Sequence, residues 1–527
     1  MSRQLLSCAL LLALGASLDT EGGTWTRSEP FAFGIEYMAP GLARTYAATG
    51  AFWAKGTPAG FDWNTIEPKP PVGGKHAYDW TIPDTLVREY QEAGFRHLHI
   101  YTQARSAWAG VKALPLVGHP SLMPRRERLA DYAEYLRQMV ERYDGDGVAD
   151  MPGLRFPIRH WEIEAEWGTF WHGTLDEYLE LLRIAHKTVK QADPNAQVIL
   201  QGLLFMGIFD GDASLPQLER LKASPIHRAK IEQGLRDIPQ LLKHHELFDI
   251  VEFHSLGDWT EVANTARYLR EQMAKLGYQK PIWAGDVNFN LNPMLWHGQP
   301  YYPYVAAQKE AIHGWLVAMR DARHPRHAQA LQWFRAEQAS FTAKKLLCAF
   351  GEGLAGINMG NLEDWPLFAV LPGISGTGGF CGLIDLAGTE RRPPGLPPGF
   401  ARRIPGQPRP AYWTLKLLIG KLGPYMAVTP LDLGKGIHAY RFHQPRPPTH
   451  RPRAIVAAWH EDGKGQLPGD PEPSIQAALP AAARSAAIVP IITAIGQADP
   501  KPRPAEIRNG TIHLTLTETP VLIEELE

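Results

Sequence analysis

Residues 159–171 read Arg-His-Trp-Glu-Ile-Glu-Ala-Glu-Trp-Gly-Thr-Phe-Trp. Trp161, Ile163 and Ala165 alternate with Glu162, Glu164 and Glu166, the period of a strand, and this predicts three carboxylates on one face. Like charges that close in a core do not all stay ionised, so the face has a purpose beyond filling. Trp167 and Trp171 follow, and then Thr174-x-x-Glu177, in which hydroxyl and carboxylate satisfy each other's free backbone donors and start a helix. Glu166 therefore stands at the C-terminal mouth of a strand.

Outward from this strand the same unit recurs. Apolar runs at Phe31–Met38, Gly50–Lys55, Arg96–Thr102, Ile158–Glu166, Gln197–Leu203, Phe248–His254, Pro281–Asp286 and Leu354–Gly360 alternate with longer helical patterns. The helices are Thr81–Ala93, Arg126–Tyr143, Leu175–Ala192, Glu261–Leu276, Ala336–Gly351 and Ala411–Leu422. Eight strand-helix units close a barrel, so the fold class is α/β, a (β/α)8 TIM barrel over residues 25–424. After residue 424 the helical period stops. Gly436–His443, Arg453–His460 and Thr511–Leu516, the last preceded by the hairpin signal Asn509-Gly510, predict a C-terminal β-sandwich over 425–527. The connection Asp286–Ala336 is long, carries Trp296, Tyr301, Tyr302 and Tyr304, and turns helical over Val305–Ala322, the pattern of a lid or small subdomain. Arg391–Pro410, rich in Pro and Arg, is expected to lie extended on the surface.

A formal net charge of -1 supplies no basic field for nucleic acid or an anionic membrane. Residues 1–20 carry Arg3, an apolar run Leu5–Leu14 and small residues after it, the pattern of a signal peptide, so a secreted or periplasmic protein is expected. No later apolar run is long enough to span a bilayer. Beyond that segment only Cys348 and Cys381 remain, too few for a disulfide framework. No nucleotide-binding glycine loop occurs, His97 and His99 read as core or rim histidines, and neither cofactor nor metal is expected.

Cleaving a glycosidic bond with retention needs two carboxyl groups about 5 to 5.5 Å apart. Glu166 is the first. Lys280-Pro-Ile-Trp-Ala-Gly-Asp286 ends the seventh strand with the second, in a pattern that gives Ile282, Ala284 and Asp286 a common face. Sixteen Trp and seventeen Tyr leave rings to spare for stacking sugars.

From Phe31 to the C-terminus the chain resembles the clan A glycoside hydrolases, nearest to their xylosidase and iduronidase-like members. Trp63-Asn-Thr-Ile-Glu-Pro68 with Tyr78-Asp-Trp80 is similar to their early tryptophan and Glu-Pro element, and His160-Trp-Glu-Ile-Glu-Ala-Glu166 to their acid/base element. Phe248–His254 is similar to their sixth strand and Lys280-Pro-Ile-Trp283 to the lead into their nucleophile. Tyr412-Trp413 and Thr519-Pro520 are also familiar from the family. The resemblance implies a carbohydrate substrate, Glu166 as general acid/base and Asp286 in the nucleophile's place. Two positions depart from it. Ala165 stands where the family has Asn, whose amide bonds the sugar 2-hydroxyl, and Asp286 stands where it has Glu, withdrawing the carboxylate by about 1.5 Å. Three outcomes stay open: a nucleophile at the retaining distance, a general base at roughly 6.5 Å or more, or a degenerate site that binds carbohydrate without cleaving it. Candidate substrate-binding residues are His254, Trp283, Trp167, Glu36, Trp108, Trp365, Asn288 and Tyr302. Glu164 and Glu252 are expected beneath the site in a polar network.

Overall fold

Eight strands with helices between them pair in parallel and close on themselves in the computed structural model. They are β1 (Ala32–Ile35), β2 (Trp53–Lys55), β3 (His97–Thr102), β4 (His160–Trp167), β5 (Gln197–Leu204), β6 (Val251–Ser255), β7 (Ile282–Val287) and β8 (Gly356–Met359). The structure describes residues 16–526 apart from 20–22, 57, 111–119, 168–169, 206–207, 210–224, 288–302, 361, 365–379, 392–399, 444–453, 463–465 and 482. The expected strands all fall on barrel strands, with ends that differ by up to three residues. Helices Thr81–Ala93 and Leu175–Ala192 have the expected limits, and the second opens with the Thr174/Glu177 capping box.

Outward side chains of the strands pack under the helix ring in one continuous apolar core, which includes Ile163, Leu200, Ile282 and Ala284. Inside the barrel, Ala32, Trp53, Ile199, Ile250 and Trp283 form a separate apolar floor. Trp53 meets Trp283 edge to face at 4.8 Å and stacks on His97 at 4.4 Å, so that histidine is part of the floor packing. The floor closes one end of the barrel and leaves polar residues to the other.

The sandwich pairs an eight-stranded antiparallel sheet with a three-stranded one, Ser474–Pro480, Thr511–Thr517 and Glu506–Arg508. Val456, Ala458, Ile488 and Ile523 from the first meet Leu479, Ile512, Leu514 and Leu516 from the second. Asn509 (φ 50°) and Gly510 (φ 73°) make the left-handed hairpin turn that their dipeptide signals. The large sheet also recruits the chain's beginning. Ala427 and Val428 pair with Thr26 and Trp25, and Thr24–Arg27 pairs in turn with Ala16–Asp19. Strand pairing across some 400 residues of sequence, as between Trp25 and Val428, leaves no local signal.

Two further differences concern connections. Arg403–Pro408, expected as extended surface chain, forms an antiparallel ribbon with Ile384–Thr389. The expected helix Ala336–Gly351 begins at His327, and Pro303–Arg320 packs beside it as the helical half of the long connection. Cys348 and Cys381 are buried thiols, and no disulfide joins them. Among the described residues no helix is long and apolar enough to cross a membrane.

Candidate active site

Above the floor the barrel interior is polar. Lys55 of β2 donates to Glu252 of β6 at 2.6 Å and pairs with Glu162 of β4 at 3.0 Å. His99 of β3 places Nε2 3.1 Å from Glu162 and 3.2 Å from the second oxygen of Glu252. The Asn358 amide lies 3.1 Å from His99 Nδ1. Donation from that amide leaves the ring's proton on Nε2, facing the carboxylates. Burial pushes His99 down to about 3, so the ring is neutral, whereas the surrounding carboxylates outweigh burial at Lys55 and hold it well above its usual value as a cation.

The next level is the mouth. His254, at the end of β6, sets Nε2 3.3 Å from Glu252 and Nδ1 2.7 Å from Glu166 at the end of β4. Burial and Lys55 both disfavour a charged His254, but its bonds to Glu166 and Glu252 outweigh them and lift its pKa well above the ordinary histidine value. His254 is thus an imidazolium donating to Glu166. Asp286, half-buried at the end of β7, completes the group. One oxygen from Glu166, one from Asp286 and one ring nitrogen of His254 all lie within 4.8 Å of one another. Burial raises the pKa of Asp286, against the pull of His254 and Lys55. Glu36, at the end of β1, is 1 % exposed, and its Oε2 has no hydrogen-bond partner.

Register shifts produce this arrangement, and they correct two alternation readings. Along β4 the pairing with β5 slips between Ile163 and Glu166, where Glu164 takes a left-handed φ of 69°. Glu162 and Glu166 face the interior. Glu164 leaves their face, accepts from Ala104 N at 2.7 Å and lies among Tyr132, Tyr135 and Tyr178 of the helix layer, where burial lifts its pKa to about 8. Along β7 the pairing with β6 slips between Ala284 and Asp286. Trp283 points into the floor, Ile282 and Ala284 point outward, and one extra residue, Gly285, returns Asp286 to the inside beside His254. A Cβ on Gly285 would stand 1.8 Å from Glu252 Oε1, and one on Gly202 2.0 Å from His254 Nε2, so both positions admit only glycine without moving the network.

Of the four tryptophans expected as an aromatic platform, Trp283, Trp167 and Trp108 lie among the described residues. Trp283 is fully buried in the floor and faces away from the mouth. Trp167, 3 % exposed, packs on Tyr178 of a helix. Trp108 bonds the Glu67 carbonyl at 2.7 Å, packs on Trp63 and carries Arg128 over its ring. Trp365, Asn288 and Tyr302 lie outside the described residues. Sequence reasoning missed Lys55, Tyr37 and Tyr101. A lysine at a strand end between apolar residues was the available signal for the first. Tyr37, at φ 59°, lies within electrostatic reach of Asp286, Glu36, Tyr101 and Glu166, and no local pattern announces it.

No family model matches the sequence, and no curated protein matches it. Solved structures do. A family 39 glycoside hydrolase from the gut symbiont Bacteroides cellulosilyticus WH2 superposes with a TM-score of 0.55 at 15% identity, over 94% of this chain and 81% of its own. A monomeric β-xylosidase from Caulobacter crescentus CB15 gives 0.54 at 14% identity, over 97% and 99%. A conserved exported protein from Bacteroides fragilis gives 0.55 at 10% identity, over 96% and 99%. At such identities the likeness concerns architecture: the chain has the fold of the clan A glycoside hydrolases, an eight-stranded β/α barrel carrying a β-sandwich.

Proposed function

We propose that the protein is a glycosidase that hydrolyses O-glycosidic bonds of a polysaccharide or glycoconjugate, with Glu166 as general acid/base and Asp286 as nucleophile. The observation that carries this reading is the approach of the two carboxylates to within 4.8 Å at the open end of the barrel. A nearest-oxygen approach of that order is compatible with a retaining pair, whose carboxyl groups stand about 5 to 5.5 Å apart. Asp286 attacks the anomeric carbon as the bond to the leaving oxygen breaks, and that oxygen takes a proton from the Glu166–His254 pair. Water then attacks the glycosyl ester, returns a proton to the pair and frees Asp286. The register shift at Gly285 sets Asp286 opposite His254.

The bond from His254 to Glu166 also favours a second reading, a carbohydrate-binding protein without turnover, because it holds Glu166 as an acceptor. Aryl glycosides and polysaccharides offered to the wild type, Glu166→Gln and Asp286→Asn separate the two. Release by the wild type alone, with anomeric configuration kept in the NMR spectrum, supports the first. Binding by all three proteins and release by none supports the second.

A further inference from the structure

Glu252 is fully buried, one level below the mouth, and bonds the back of the His254 ring. Donors surround its two oxygens. Oε1 accepts from the Lys55 ammonium at 2.6 Å and faces His254 Nε2 at 3.3 Å, and Oε2 lies 3.2 Å from His99 Nε2. A proton of its own would displace the ammonium from Oε1 or meet the His99 proton at Oε2, so Glu252 is a carboxylate. Opposite an ionised oxygen, His254 Nε2 carries a proton, because a bare ring nitrogen would set two lone pairs against each other. The other ring nitrogen, Nδ1, is 2.7 Å from Glu166 Oε1, and that contact again needs one proton between its two atoms. Glycines on the two flanking strands leave room for the Glu252–His254 contact: a Cβ on Gly285 would strike Glu252, and one on Gly202 would strike His254.

We infer that Glu252 is a positioning residue for the acid: held by Lys55, it keeps a proton on His254 Nε2, which makes Nδ1, against Glu166, the atom that gives up and recovers a proton in each turnover. The inference rests on the reading of this mouth as a glycosidase site. Its logic is that of a buried carboxylate that fixes the tautomer of a catalytic histidine. In the first step the proton held between Nδ1 and Glu166 passes to the leaving oxygen, and the ring becomes neutral with its Nε2–H still on Glu252. In the second, water gives its hydroxyl to the anomeric carbon and its proton to the pair, which restores the imidazolium. The charged and titratable groups that face the ring are Glu162 and Glu166 of β4, Asp286 of β7, Glu36 of β1, Lys55 of β2 and His99 of β3, besides Glu252 itself. Burial and Lys55 oppose the ring's charge, and the bonds to Glu166 and Glu252 prevail.

Protein carrying isotope-labelled histidine tests this without any turnover. The His254 ring is assigned by its loss in His254→Gln, and proton–nitrogen NMR spectra distinguish the imidazolium from the Nε2–H and Nδ1–H rings. The expected wild-type ring holds both protons at neutral pH and, as the pH rises, loses the one on Nδ1. Glu166→Gln, whose amide meets Nδ1 with or without a proton, brings the neutral form within reach and should show the same Nε2–H ring. An opposite charge this close moves a titration midpoint by about 1 to 3 pH units, so Glu252→Gln should lower that of His254 by at least about one, and Glu252→Asp, which keeps the charge, by less. A neutral ring with its proton on Nδ1 in the wild type or in Glu166→Gln, or an unchanged midpoint in Glu252→Gln, overturns the inference. The pH dependence of kcat on aryl glycosides is a separate readout, whose alkaline limb should move to lower pH with the midpoint in Glu252→Gln. A limb that stays in place while the midpoint moves takes Glu252 out of the reaction. Absence of release by the wild type at any pH would sink the glycosidase reading, whereas the spectra alone decide where the His254 protons sit.

Discussion

Lys55 is the cation on which the buried half of the site depends, and replacing it with Met is a stringent test of the electrostatic argument. Its ammonium, 1 % exposed as a residue, bonds Glu252 at 2.6 Å and pairs with Glu162 at 3.0 Å, and both carboxylates are fully buried. Lys55→Met keeps the volume and removes the charge. His99 is no substitute, since burial keeps its ring neutral. Breaking a buried pair by deleting one partner costs about 3 to 5 kcal/mol, because the other charge stays uncompensated. Proton uptake by one stranded carboxyl recovers part of this, so a loss of about 3 kcal/mol is expected, a large fraction of a normal folding free energy. In the double variant Lys55→Met/Glu252→Gln one stranded charge is gone, and the two effects should fall short of additivity by about 1 to 2 kcal/mol. Urea unfolding followed by both tryptophan fluorescence and circular dichroism gives the numbers. The two probes must be compared, because barrel and sandwich need not unfold together. A Lys55→Met protein within about 0.5 kcal/mol of wild type, or strict additivity in the double variant, would refute the view that this network is held by one ammonium.

Gly202→Ala should displace the His254 ring, whose Nε2 lies 2.0 Å from the added carbon, and with it the bond to Glu166. A shift of about 1 Å in that group predicts about a 100-fold loss in kcat on any aryl glycoside the wild type cleaves, and unchanged kcat would remove His254 from the reaction. The folded pKa of Glu164, about 8, lies above its unfolded value, so its stabilising contribution is full below about pH 4.5 and disappears as the pH rises through 8. Melting temperatures of Glu164→Gln should therefore decline less than those of wild type between pH 5 and 9, and parallel curves would place that carboxyl in water. Cys348, 1 % exposed with its thiol pushed up to about 12, and Cys381, 2 % exposed, should resist iodoacetamide at pH 8 until denaturant unfolds the chain. Rapid native labelling of either would place a thiol at the surface.

The barrel was legible because its determinants are local. Each strand is a short apolar run, each helix a periodic stripe, and the Thr174/Glu177 box starts a helix where such boxes do. Glu166, Asp286 and His254 were legible for a related reason: polar residues at the ends of apolar strands have few places to go except the mouth of a closed barrel. What escaped is what alternation does not encode. Strict period two puts Glu164 with Glu162 and Glu166, and Asp286 with Ile282 and Ala284, whereas the slip in the first strand turns Glu164 off the face of its neighbours and the extra residue Gly285 in the second reverses the face of Asp286. Those slips are settled by tertiary contact. Glu164 is drawn out by the Ala104 amide, and Gly285 is pressed from inside by Glu252, partners that lie 60 and 33 positions away along the chain. Trp283 follows from the same cause, since the slip that turns Asp286 to the mouth comes after the tryptophan and leaves it in the floor. Were Ile282 to Asp286 to pair without the slip at Gly285, Asp286 would share the outward face of Ile282 and Ala284. The bulge is therefore what separates a barrel that presents two carboxylates to one ligand from one that presents a single acid.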